Sequence, residues 1–221
     1  RGVLFKGGAY VDLSGTIDTV AFDKTGTLTE GRPQLLATRL GPAPAATEDE
    51  LLRRAAAVES ASEHHLGRAF VEAARERGLP SERATDFRAF PGEGVVAAVD
   101  GRRTWVGNAT MASRERATIP EDLQAWAGDQ WESGRSTVFM GADGDLLAAF
   151  SFGDRLRADA VPALERLRSV GIRRIAVLSG DHPRAVEAIG KELGADDILA
   201  GLLPDQKVEA LKELTLQSRG T

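Results

Sequence analysis

Val20-Ala21-Phe22-Asp23-Lys24-Thr25-Gly26-Thr27-Leu28-Thr29 is the stretch on which the fold turns. Thr16–Ala21, followed by Phe22, is expected to form a short buried strand, with Asp23 directly at its carboxyl end. In open α/β sheets reactive groups collect at that end of the strands. A carboxylate there, followed by small turn-forming residues, can act as a nucleophile toward phosphorus. Gly26 permits the sharp turn, Thr25 and Thr27 offer hydroxyls, and successive backbone N–H groups can cradle a phosphate. Lys24 adds positive charge beside them. The plainer alternative is an ordinary strand-to-loop turn with a solvated Asp.

The rest of the chain gives this strand its setting. Its last third alternates helix and strand: helix Ala158–Ser169, strand Ile172–Leu178, helix Pro183–Leu193, strand Asp197–Leu199, helix Asp205–Leu214. Such alternation implies a parallel sheet with crossover helices. The middle differs. Gly94–Val99 and Arg102–Val106 flank Asp100-Gly101, and Thr137–Gly141 and Leu146–Phe150 flank Asp143-Gly144, two hairpin patterns. Helices are expected from Thr47, with Glu50 at capping-box spacing, from Leu66 to Arg77, and over Pro120–Ser133. Gly41–Ala46 reads as a linker. The first strand has no partner nearby in sequence, so it joins the C-terminal parallel sheet. The middle is then a domain inserted between the two halves of the first. The expected division is residues 1–32 with 150–221 for the discontinuous domain, and residues 33–149 for the insertion.

Composition narrows the function classes. The chain has 221 residues, 42% apolar and 28% charged, as in globular proteins. No apolar run approaches the roughly 18 residues of a membrane helix. Cysteine is absent, which excludes disulfide scaffolds and thiolate metal sites. A net charge of −5 argues against generic nucleic-acid binding.

Asp23-Lys24-Thr25-Gly26-Thr27 resembles the phosphorylation motif of P-type ATPases, members of the haloacid dehalogenase-like superfamily. The resemblance implies a haloacid dehalogenase-like Rossmannoid sheet with an inserted α+β nucleotide-binding domain built on antiparallel sheet. It implies Asp23 as the residue that takes the γ-phosphate of ATP. Phosphatases of the superfamily usually carry a second Asp two residues after the nucleophile, as acid and base. Thr25 stands there instead and makes a poor proton shuttle near neutral pH, so a phosphoenzyme on Asp23 is expected to persist. Ser179-Gly180-Asp181 resembles the family's Thr-Gly-Asp, with Ser179 keeping the hydroxyl donor. Pro204-Asp205-Gln206-Lys207 resembles its Pro-x-x-Lys, where the lysine neutralises phosphoryl charge. Lys24, Thr25, Thr27, Ser179, Asp181 and Lys207 thus join Asp23 as catalytic candidates. Asp23 and Thr25, the latter with its backbone carbonyl, are the expected Mg²⁺ ligands. Asp154 and Arg157 resemble a hinge segment near the nucleotide; the alternative is a solvated i,i+3 pair.

Inside the insertion, Glu59-Ser60-Ala61-Ser62-Glu63-His64 resembles the signature of heavy-metal-transporting P-type ATPases, which normally continues His-Pro. Gly92-Glu93-Gly94 and Val106-Gly107-Asn108 match two further elements in family order. The resemblance assigns Glu59, His64, Gly92, Gly94 and Asn108 to adenine. A flat base needs close backbone approach and a few placed polar groups. His65 replaces the usual Pro, which removes a fixed φ, so a looser loop is expected, with His65 an exposed bystander.

The resemblance runs from Gly2–Gly8 to the end of the chain. In that family the next elements are a further strand and a Gly-Asp-Gly-x-Asn-Asp loop with a Mg²⁺-binding Asp, which this sequence does not include. The parallel sheet is therefore expected to be short of strands, and this stretch alone to bind ATP weakly and to phosphorylate Asp23 poorly or not at all. The expected parent is a multi-pass membrane protein that exports a metal ion held elsewhere, with this region at the cytoplasmic face. Its partners are ATP and the parent's transmembrane and actuator domains, with no nucleic acid. Phe5–Tyr10 looks more like zinc, cadmium or cobalt transporters than copper ones. The competing readings are a soluble haloacid dehalogenase-like phosphatase and a catalytically inactive nucleotide-binding module.

Overall fold

The computed structural model describes residues 7–42 and 46–217. Phe5 and Lys6 of the Phe5–Tyr10 motif, and the centre of the Gly41–Ala46 linker, lie outside the described residues. The chain forms two compact units: one takes the described residues up to Leu28 and from Leu156 onward, the other runs Thr29–Arg155.

The first unit opens with a short helix, α1 (Gly8–Ser14), and holds a three-stranded parallel sheet in the order β1-β8-β9. β1 is Thr19–Asp23, β8 is Arg174–Leu178 and β9 is Asp197–Leu199. Register puts Asp23 opposite Leu178 and Leu178 opposite Leu199, so the three carboxyl ends lie level. The loops that leave these strands therefore gather along one edge. Helices α6 (Ala160–Ser169) and α7 (Pro183–Glu192) supply the crossovers, and α8 (Pro204–Gln217) packs against β1. Ala160, Leu164, Ile175, Val177, Val186, Ile189 and Leu193 form the core with Leu28. β8 contributes Ile175 and Val177 to it, alternate residues as a pleated strand requires.

The second unit is a six-stranded antiparallel sheet, order β2-β7-β6-β5-β4-β3, with helices on both faces. The strands are β2 (Gln34–Leu40), β3 (Thr85–Phe90), β4 (Gly94–Val99), β5 (Arg102–Gly107), β6 (Ser136–Ala142) and β7 (Asp145–Gly153). The pleat sorts their side chains. Val95, Ala97, Val99, Val138 and Met140 meet α2 (Glu48–Glu59) and α3 (His65–Glu76) in one core. Val96, Trp105 and Phe139 meet α4 (Ala109–Arg114) and α5 (Glu121–Glu132) in the other. Phe70 of α3 stands edge-on to Phe150 and Phe152 of β7, with centroids 4.9 and 4.7 Å away. Thr47 caps α2 through both halves of a capping box: its Oγ1 accepts from Glu50 N, and Glu50 Oε2 accepts from Thr47 N.

Four elements go beyond the sequence reading: α1, α4, β2 and β3. β2 and β3 are the two outer strands of the six, paired on one side only, so their sequences alternate weakly and stay largely exposed. The first strand begins at Thr19, later than its apolar pattern.

Candidate functional site

Asp23 closes β1, and the chain turns at once through Lys24–Leu28. Gly26 makes the turn at φ 77°, a left-handed conformation that its missing Cβ allows. Leu28 drops into the core below, so the loop is pinned at both ends. Asp23 keeps 48% of its side chain exposed. Lys207, in the first turn of α8, reaches it with Nζ 3.0 Å from Oδ1 and 2.9 Å from Oδ2. One ammonium thus faces both oxygens of the carboxylate.

Lys24 is buried, at 3% exposure, with its ammonium paired to the Asp181 carboxylate. Burying a charge is costly unless it is paired, and this pairing meets that need. It also ties the Lys24–Leu28 loop to the segment after β8. Ser179, buried in that segment, accepts from Asp181 N at 3.2 Å and binds Leu199 O through its own N–H at 2.9 Å. Gly201 N donates to Asp181 O at 2.9 Å. Asp23, Lys24, Ser179, Asp181 and Lys207 therefore assemble at the carboxyl edge of the sheet. Thr25 is half-buried and Thr27 exposed on the same loop. Arg157 Nη2 lies 3.4 Å from Gly26 O, and Arg157 N donates to Leu28 O at 2.9 Å. His182 caps α7, its Nδ1 accepting from Arg184 N; burial and the neighbouring Arg184 push its pKa down.

In the second unit, Asp154 is engaged by its own chain. Its Oδ2 accepts from Thr29 Oγ1 at 2.5 Å and Gly31 N at 3.2 Å, and its Oδ1 from Arg32 N at 3.1 Å. Neither the solvated pair nor a free carboxylate describes it. It fastens the segments that enter and leave this unit, beside the Glu30 N to Arg155 O bond of 2.9 Å.

Glu59 ends α2 with only 7% exposure, and its buried Oε2 has no hydrogen-bond partner. Burial raises its pKa to about 7, partly offset by a hydrogen bond from Ser62. Gly67 makes room for it, since a Cβ there would sit 2.8 Å from Oε2. Sequence reasoning missed Gly67; the available signal was a glycine inside a helical pattern. His64 is exposed and caps α3, Nδ1 accepting from Leu66 N at 3.3 Å. His64 N donates to Ser62 Oγ at 3.2 Å and Ser62 N to Glu59 O at 2.9 Å. His65 is the first helical residue, half-buried, with its ring 4.2 Å from that of His64. The loop is thus held by caps rather than by a fixed φ, and His65 is not the exposed bystander expected.

Gly94 and Gly107 face each other across β4 and β5. A Cβ on Gly94 would lie 2.3 Å from Val106 O, and one on Gly107 2.4 Å from Glu93 O. Gly92 turns at φ 76°. Asn108 Nδ2 donates to Gly92 O at 2.7 Å, while its Oδ1 accepts from Thr110 N and Met111 N at the start of α4. Gly92, Gly94 and Asn108 therefore form one hydrogen-bonded corner. Among the described residues, no group of three or more His, Asp or Glu side chains gathers to hold a metal ion. No helix of the described residues is long and apolar enough to cross a membrane.

The family model for haloacid dehalogenase-like hydrolases matches residues 17–219. The chain is 40% identical over 218 residues to a probable copper-exporting P-type ATPase V of Mycobacterium tuberculosis, covering 99% of this chain and 28% of the relative. It is also 40% identical over 215 residues to a zinc/cadmium/lead-transporting P-type ATPase of Escherichia coli, covering 97% and 28%. The chain thus spans just over a quarter of the length of these curated relatives. Among solved structures, the catalytic domain of the CPx-ATPase CopB-B is similar, with a TM-score of 0.71 at 26% identity over 96% of this chain and 72% of that one.

Proposed function

The chain belongs to the haloacid dehalogenase-like hydrolases, and on that premise we propose that it is the phosphorylation and nucleotide-binding region of a heavy-metal-exporting P-type ATPase. The observation that carries this reading is Asp23 at the carboxyl end of β1, with Lys207 on both its oxygens. The first unit is the phosphorylation domain and Thr29–Arg155 the nucleotide-binding domain.

The Asp23 carboxylate attacks the γ-phosphorus of ATP, forming the acyl phosphate while ADP leaves with the electrons of the broken bond. Lys207 offsets charge on the nucleophile and on the incoming phosphoryl group. The Ser179 hydroxyl and the Lys24–Leu28 backbone supply donors for phosphate oxygens, with the Thr25 and Thr27 hydroxyls beside them. The Lys24–Asp181 pair holds the loop in place. Mg²⁺ takes hard oxygen ligands and is commonly held by one or two carboxylates together with substrate phosphates and water. The half-exposed Asp23 carboxylate and the Thr25 carbonyl are donors of that kind and would hold it. Bound there, it supplies neutralisation of phosphoryl charge. Thr25 in place of an acid–base Asp favours a lasting phosphoenzyme over a phosphatase cycle.

Glu59, His64, Gly92, Gly94 and Asn108 hold adenine. The unpartnered Glu59 Oε2 supports this, being a buried polar atom without a protein partner. Asp154 and Arg157 serve the nucleotide indirectly, by fixing the segments that flank each unit's boundary. The parent carries this region at the cytoplasmic face of a membrane and couples phosphoenzyme turnover to metal export. A divalent ion such as zinc, cadmium or cobalt is the transported species on the strength of the Phe5–Tyr10 motif. Relatives named for copper and for zinc are equally similar.

Calorimetric titration of ATP, with and without Mg²⁺, tests the nucleotide reading. Saturable binding is expected, weakened at least about tenfold in His64→Ala. Equal affinity of the two proteins would remove His64 from the site.

A further inference from the structure

A salt bridge beside the glycine turn has no role in the reading above. β3 ends at Phe90 and β4 begins at Gly94, joined by Pro91-Gly92-Glu93. The Glu93 carboxylate takes two bonds from one guanidinium, that of Arg114 at the end of α4. Nε lies 2.6 Å from Oε2 and Nη2 2.7 Å from Oε1. The same guanidinium lies 4.6 Å over the Phe90 ring. Asn108, ahead of the same helix, donates to Gly92 O from its side chain and to Glu93 O from its backbone, at 2.7 and 2.8 Å. The turn is thus gripped by Asn108 from one end of α4 and by Arg114 from the other.

The pairing is selective. Glu115 stands next to Arg114 in sequence, yet its carboxylate is taken by Arg103 through bonds of 2.7 and 2.6 Å. Arg114 is left to Glu93. A planar fork on a carboxylate, stacked on a ring, fixes orientation in a way that a lysine ammonium cannot. The pair is well exposed, with 45% and 22% of its two side chains accessible, so it adds little to global stability. Its consequence is local: Gly92, at φ 76°, has no Cβ to restrain it, and a glycine in a turn left alone samples many conformations. A turn ordered before the ligand arrives lowers the ordering cost of binding.

We propose that Arg114 is a positioning residue of the nucleotide site, which fixes the Gly92–Gly94 turn through Glu93 so that the backbone facing the adenine keeps one conformation. The assignment rests on the reading of the Gly92–Asn108 corner as part of that site.

The test is ATP titration of this chain and of Arg114→Lys, Glu93→Gln and the exchanged pair Glu93→Arg with Arg114→Glu. Melting temperature and amide hydrogen exchange at residues 92–94 are followed without nucleotide. Each single variant is expected to bind ATP roughly five- to tenfold more weakly. Its melting point should fall by no more than about 2–3 °C, with faster exchange at the turn. The exchanged pair should recover most of the affinity. A chain that binds ATP, with single variants of equal affinity, overturns the assignment alone. Weakened binding that tracks a large fall in melting point and is not rescued by the exchanged pair also overturns it, in favour of a structural role. A parent chain that binds no ATP overturns the nucleotide reading, and this assignment with it.

Discussion

Glu59 is a residue whose burial costs the fold stability. Its carboxyl group is buried with one oxygen unpartnered, and its pKa rises from 4.5 to about 7. A raised carboxyl pKa means that the folded state binds the proton more tightly than the unfolded chain does. The stability from this group is therefore fully present below pH 4.5 and is lost as pH rises through about 7. Glu59→Gln cannot ionise. In urea unfolding it is expected to match the parent near pH 4 and to exceed it at pH 8 by at most about 3 kcal/mol. An unchanged difference between the two pH values would show that Glu59 is not buried as described. Glu59 was singled out in sequence by its spacing to His64. Its burial was not legible, because that depends on Gly67, one turn into the next helix, leaving room for the carboxylate. Lys24 teaches the same lesson: its charge was legible, but its pairing with Asp181 joins residues 157 positions apart.

At the scale of elements, the legible parts were those with strong period-2 patterns and Asp-Gly turns. The β4–β5 and β6–β7 hairpins fall where Asp100-Gly101 and Asp143-Gly144 put them, and both Asp residues adopt positive φ. The outer strands β2 and β3 were illegible because an edge strand is paired on one side only and needs no continuous apolar face. Gly94 marks where the hairpin requires a glycine. Its Cα approaches the β5 backbone so closely that a Cβ would sit 2.3 Å from Val106 O and 2.6 Å from Gly107 Cα. Neither neighbour can rotate away. Gly94→Ala is expected to destabilise the second unit by roughly 2–4 kcal/mol through overpacking and strain. Gly101→Ala, at a turn with open space around it, should cost only about 1 kcal/mol for its positive φ. Thermal melts of the two variants compare them, and equal losses would contradict the close approach.

The whole molecule divides where its chain crosses twice. Glu30 N and Arg155 O are 2.9 Å apart, and Asp154 binds Thr29, Gly31 and Arg32. The second unit thus begins and ends at one place and carries two cores of its own. Residues 29–155 expressed alone are expected to melt cooperatively and to bind ATP as the longer chain does; a molten or unfolded product would show that the unit depends on the rest. The parallel pairing of β1 with β8 was legible because β1 had no local strand partner while the last third supplied a parallel set. The ion of the proposed transporter was not legible, since relatives named for different metals share this region at the same identity. The central claim concerns Asp23, and one measurement reaches it most directly. The full-length parent is incubated with γ-phosphate-labelled ATP and Mg²⁺, quenched in acid, and analysed for hydroxylamine-labile label. Label is expected on Asp23 and is expected to be absent from Asp23→Asn. Label retained in that variant, or ATP turnover by the parent with no trapped acyl phosphate, would contradict that claim.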